Sequence, residues 1–134
     1  MQRQRWIPLA GSILVLAACG SVTGSSSHTS NTPDPPTGTP AQAATVEVRS
    51  NYYNPSNPLI AVGGTVTWTW IDPGHSVTSD GSPSFTPNAP VSNVPHTLGP
   101  VVFATAGTYS FHCTVHGVAG TYGSGTMTGA VFVQ

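Results

Sequence analysis

Lysine is absent from this 134-residue chain, and only Arg3, Arg5 and Arg49 carry permanent positive charge. So few cations cannot neutralise a phosphate backbone, which excludes nucleic acid as a partner. Carboxylates are as scarce: Asp34, Glu47, Asp72 and Asp80 are the whole supply. That is thin for general acid–base chemistry built on paired carboxyl groups. Room for long helices is also lacking, because 15 glycines and 13 prolines interrupt the chain. Punctuation of this density favours short strands joined by turns. No Gly-x-Ser-x-Gly elbow occurs, and the glycine-rich stretch 120–125 precedes neither a lysine nor a helix, so it is no phosphate cradle.

What is present begins with an address. Arg3 and Arg5 lead into an apolar stretch from Trp6 to Ala18. It is shorter than the about 20 residues a spanning helix needs and reads as the apolar part of a secretory signal. It ends Leu16-Ala17-Ala18-Cys19, which looks like a bacterial lipobox and implies cleavage before Cys19 and acylation of that residue. Residues 1–18 are therefore read as a lipoprotein signal peptide. The expected product is exported and membrane-anchored, in the periplasm or at the cell surface. It keeps Arg49 against four carboxylates and is mildly acidic. Residues 19–44 are read as the lipidated cysteine and a Ser/Thr/Pro-rich tether, with Pro33, Pro35 and Pro36 clustered and His28 solvated. Such a segment stays extended at about 3.1 Å per residue and forms no core.

Residues 45–134 alternate with period two, the signature of half-buried strands. Thr45 to Arg49, Leu59 to Val62, and Thr65 to Trp70 are the clearest, with Val66, Trp68 and Trp70 sharing one face as core. His75 to Thr78 is short and follows the Asp72-Pro73-Gly74 turn. Residues 79–99 are turn-rich and read as a long loop, with His96 solvated in it. Val101 to Phe103, Thr108 to Cys113 and Met127 to Val133 complete the set. Strands at this spacing without helical patterns predict an all-β antiparallel sandwich or barrel.

With Cys19 assigned to lipid, Cys113 is left alone in an exported domain, where thiols normally pair. It is a buried inert residue, half of an intermolecular bridge, or a metal ligand. Period two from Tyr109 and Phe111 turns Cys113 inward and His112 outward. His116 stands three residues further on. Adding His75 and Met127 gives two imidazoles, a thiolate and a thioether, the ligand set of a blue-copper site.

At this point a family resemblance becomes plain. Gly64 to Trp70, His75 to Asp80, Gly107 to His116 and Met127 to Val133 resemble the corresponding stretches of the cupredoxins, most closely the plastocyanin-like group, across roughly residues 45–134. The resemblance implies an eight-stranded Greek-key antiparallel β-sandwich holding one copper ion. His75 and His116 would bind it through ring nitrogens, Cys113 through sulfur and Met127 as a weak axial ligand. It also implies a monomeric electron carrier with transient redox-protein partners. One departure is the insertion from Gly117 to Thr126 between the second histidine and the methionine. It either loops out, leaving Met127 in register, or displaces Met127 from the axial position. Ser76 and Thr114 stand where the family often ties the two ligand segments together; they do the same here or bond only water.

Three functions remain on this reading. A type 1 copper electron carrier is favoured, docking partners at an apolar patch beside His116. A tethered copper-binding protein for buffering or delivery, without electron transfer, is the alternative. A small zinc or copper enzyme is the third and needs a missing axial methionine and a nearby acid or base, for which only Asp80 offers itself. A metal-free binding sandwich is what is left if the ligands do not meet.

Overall fold

The computed structural model describes residues 34–124 and 126–134. The signal peptide, Cys19 and most of the expected tether lie outside the described residues. Within them the chain forms β1 (Ala41–Arg49), β2 (Tyr52–Asn54), β3 (Leu59–Trp70), β4 (His75–Ser79), β5 (Ala89–Ser92), β6 (Thr97–Val102), β7 (Gly107–His112) and β8 (Thr128–Val133). No helix occurs among the described residues.

The strands follow the hydrogen-bonded order β2-β1-β3-β8-β7-β4-β5, with β6 added on β3. β3 is the hinge of the arrangement. Its start pairs with β8, Leu59 opposite Phe132 and Ile60 opposite Val133. Its end, Thr65 to Trp70, lies between β1 and β6. The change of partner happens at Gly63-Gly64. Gly63 takes a φ of +81°, and a Cβ on Gly64 would stand 2.8 Å from the carbonyl oxygen of Ala61. Glycine therefore lets one strand serve both layers.

Between the layers β3 buries Val66, Trp68 and Trp70, as the alternation predicts, while its threonines stay half-buried on the other face. Phe111 of β7 meets this stripe: its ring lies edge-on to Trp68 with centroids 5.5 Å apart and to Tyr53 at 4.8 Å. Trp68 also stacks on Phe85 at 5.2 Å. β8 is buried on both faces. Its unalternating run Ala130-Val131-Phe132-Val133 suits a strand flanked by β3 and β7, and the Tyr122 ring stands edge-on to Phe132.

Three expectations need correction. The sandwich is all-β, but the pairing is mixed rather than antiparallel throughout: β1 runs parallel to β3, and β3 parallel to β8. Two chain reversals, around Ser50-Asn51 and through residues 55–58, restore the direction of β1 before β3 begins. The stretch 79–99 is not one loop. It contains β5, pairing with β4 at Val77 opposite Ala89, and the start of β6, pairing with β3 at Trp68 opposite Leu98. Neither alternates strongly, because each covers one edge and buries few side chains. Finally, β1 starts at Ala41, inside the stretch assigned to the tether. Main-chain pairing of Ala41 and Ala43 with Ile60 and Thr65 extends it beyond the alternating run.

Candidate metal centre

Antiparallel pairing decides where the site forms. β4 runs antiparallel to β7, and β7 antiparallel to β8. The start of β4, the end of β7 and the start of β8 therefore share one end of the sandwich. His75 opens β4, Cys113 follows the last residue of β7, and Met127 precedes the first residue of β8.

The three titratable donors converge. His75 Nδ1 and His116 Nδ1 lie 3.1 Å apart. The Cys113 sulfur is 3.9 Å from the first and 3.7 Å from the second. A triangle with these sides has a point about 2.1 Å from every corner, close to the about 2.0–2.3 Å that imidazole nitrogen and thiolate sulfur keep from a first-row metal ion. The residues present thus fit an ion without rearrangement. Among the described residues, this is the group of histidine, cysteine and carboxylate donors able to hold a metal. Burial, with repulsion from His116 added, lowers the His75 pKa from its ordinary value, while Asp72 opposes the shift. The shift favours the neutral ring, its ligating form.

Each donor is fixed by its own backbone. Cys113 is fully buried. Its carbonyl accepts from the amides of His116, at 3.3 Å, and Gly117, at 2.8 Å, closing the turn that brings the second imidazole back over the sulfur. Met127 is 1% exposed. Its carbonyl accepts from the Cys113 amide at 3.0 Å, and its amide donates to the His116 carbonyl at 3.2 Å. The insertion between them therefore loops out without pulling the Met127 backbone away from the ligand turn. Gly117 permits this closeness: a Cβ there would stand 2.3 Å from the Met127 carbonyl oxygen.

The two ligand segments are tied together across the site. Ser76 Oγ accepts from the Thr114 amide at 2.8 Å and lies 3.1 Å from the Thr114 hydroxyl. The Ser76 amide donates to the Cys113 sulfur at 3.4 Å. Two aromatic donors grip the same segment from beneath. The Trp70 indole donates to the His75 carbonyl at 2.8 Å, and the Tyr53 hydroxyl to the Ser76 carbonyl at 2.6 Å. Burial pushes the Tyr53 pKa far above its usual value, so it remains a donor. Neither role is visible in the order of residues. Trp70 offers only the hint of an indole at a strand end five residues before a ligand, and Tyr53 offers none.

Among the described residues, the other histidines do not join the group. His96 is not free in solvent; its ring stands edge-on to Trp70 at 4.6 Å. His112 is corrected from an outward surface residue to a partner of Asp80, Nδ1 to Oδ1 at 2.5 Å with both side chains largely buried. Pairing of β7 with β4 at Thr78–His112 lays the imidazole over the end of β4, where Asp80 emerges. The other Asp80 oxygen accepts from the Gly120 amide at 2.8 Å, anchoring the insertion.

No family model matches the chain. It is 34% identical over 100 residues to the plastocyanin of Prochlorothrix hollandica, covering 66% of this chain and 76% of that protein. Among solved structures, the reduced Cu(I) form of an amicyanin variant superposes with a TM-score of 0.51 at 25% identity, over 79% of this chain and 95% of that one. An oxidised amicyanin variant superposes with a TM-score of 0.51 at 24% identity, over 72% and 86% of the two chains, a likeness of fold.

Proposed function

The chain belongs to the cupredoxins, in their plastocyanin-like group, and from that premise we propose that it carries single electrons on a type 1 copper ion while tethered to a membrane through Cys19. The observation that carries the copper reading is the meeting of one thiol and two imidazoles at distances a single ion can bridge. Bound copper supplies a Cu(II)/Cu(I) couple. His75, Cys113 and His116 would hold it, their backbones fixed by the Trp70 indole at the His75 carbonyl and by main-chain hydrogen bonds around Cys113 and His116, so the donors would need to move little when the charge changes. Met127 is the proposed axial ligand, supported by its burial and by its backbone bonds to the ligand turn. The alternative of displacement by the insertion loses force from the same bonds.

His116 is exposed, and Val115 and Val118 beside it are more than half exposed. This apolar rim suits brief docking of redox-protein partners, with weak electrostatic steering because charge is so sparse. The protein is an electron carrier rather than an enzyme. Asp80, the one carboxylate considered for acid–base work, has both oxygens committed to His112 and the Gly120 amide.

Adding one equivalent of Cu(II) to the metal-free protein is expected to produce an intense blue colour and a reversible one-electron wave. Met127→Ala should shift that wave without abolishing the colour. A colourless complex lacking a wave assigns the chain instead to copper buffering or delivery.

For the tether, the proposal keeps residues 1–18 as an export leader, Cys19 as the acylated residue and the following Ser/Thr/Pro-rich run as the spacer of a monomeric domain in the periplasm or at the cell surface. Support comes from the apolar run ending at Leu16-Ala17-Ala18-Cys19. Cys19→Ser is expected to move the exported protein from the membrane to the soluble fraction; retention in the membrane refutes the anchor.

A further inference from the structure

Two tryptophans lie on the same face of β3, two residues apart, and their indoles are treated differently. Trp68 Nε1 is buried and has no hydrogen-bond partner. Trp70 Nε1 donates to the His75 carbonyl at 2.8 Å in a buried contact. That carbonyl belongs to the peptide unit whose amide, on Ser76, donates to the Cys113 sulfur at 3.4 Å. A peptide is one conjugated unit. Drawing electron density toward its oxygen makes its N–H a stronger donor, the cooperative effect of hydrogen bonds in series. Hydrogen bonding at the cysteine sulfur is in turn a recognised determinant of the potential of such a site.

We propose that Trp70 is a positioning residue that tunes the metal's potential without touching it, acting through the His75–Ser76 peptide on the Cys113 sulfur. This rests on the copper reading above. The direction follows from charge. A stronger amide donor withdraws density from the thiolate, which favours the reduced ion and raises the potential. Removing the indole N–H lowers it.

The geometry around Trp70 is set for constancy. The residue is 3% exposed, its own amide donates to the His96 carbonyl at 3.0 Å, and the His96 ring packs against the indole edge-on. The nearby Tyr53 hydroxyl bonds the Ser76 carbonyl, which belongs to the next peptide, so it grips the same segment outside the relay.

The test replaces only the N–H. Trp70→β-(3-benzothienyl)alanine keeps the ring shape and puts sulfur where the indole nitrogen was; Trp70→Phe is the genetically encoded counterpart. In the copper-loaded isostere the Cu(I)/Cu(II) equilibrium is expected to move about threefold toward Cu(II), about 28 mV at 59 mV per tenfold for one electron. In the metal-free isostere the Ser76 amide proton is expected to move upfield in the NMR spectrum, reporting a weaker bond to sulfur. Trp68→Phe removes a buried indole that makes no hydrogen bond from the same face of β3 and should leave the potential nearly unmoved. An unchanged potential in the isostere overturns the proposal, as does an equal shift in Trp68→Phe, which would mean general loosening. If the wild-type protein shows no reversible couple, the copper reading fails and the tuning claim with it. The amide shift, measured without metal, tells that failure apart from a broken relay.

Discussion

In a Cys113→Ser protein the blue colour of the copper-loaded form is expected to be lost entirely. A serine hydroxyl is not deprotonated near neutral pH and is a hard oxygen donor, so neither the charge nor the softness of the thiolate is replaced. Two imidazole nitrogens 3.1 Å apart would remain, without the third donor. The fold should survive the change. The new hydroxyl is smaller than the thiol and faces the Ser76 amide, which already donates to that position. Absorption spectra of metal-loaded protein, with thermal melts of the metal-free form as the control for folding, check both halves. Full colour in the serine protein is incompatible with sulfur ligation.

Phe111→Ala is expected to be the most damaging single truncation in the core. The ring is fully buried and lies against Tyr53, Trp68 and Phe85, with centroids 4.8, 5.5 and 6.2 Å away. It also presses on Gly129 across β7 and β8, so closely that a Cβ there would stand 2.4 Å from the ring. Buried phenylalanine-to-alanine changes cost about 3–5 kcal/mol, against a total of about 5–15 kcal/mol for a typical domain. At roughly 4–8 °C per kcal/mol for a domain of this size, the midpoint of thermal unfolding should fall by about 12–40 °C. The site should loosen as well, since Tyr53, which holds the Ser76 carbonyl, leans on the same ring. Urea titration of metal-free protein measures the effect; a loss below about 1 kcal/mol would show that the cavity collapses at little cost.

The chemistry was more legible in the sequence than the architecture, and for a physical reason. His75, Cys113 and His116 could be singled out because an unpaired thiol is unusual in a chain whose start reads as an export signal, and period two gives its direction from Tyr109 and Phe111. The strand Thr65–Trp70 was equally open, since its alternation is uninterrupted. Strands β5 and β6 were hidden by prolines and by the lack of alternation at an edge. The parallel pairings could not be read, because nothing local marks which distant strand lies alongside. The same holds for Asp80 meeting His112, and for Tyr53 and Trp70 reaching carbonyls of β4. Such contacts depend on register between segments far apart in the chain, where a shift of one residue would point a different side chain at the site.

The docking of β8 has a consequence for the newborn protein. Its main chain holds β7 along the whole of Gly107–His112, and its approach, Met127, receives the amide of Cys113. Until β8 is docked, the Cys113 amide lacks its Met127 acceptor and the thiol lacks its native burial. The β7–β8 pairing joins residues farther apart than a local turn does, from His112 with Thr128 to Gly107 with Val133, and so forms later than such turns. The interval before that pairing closes is when the thiol lacks its native cover and is most open to oxidation.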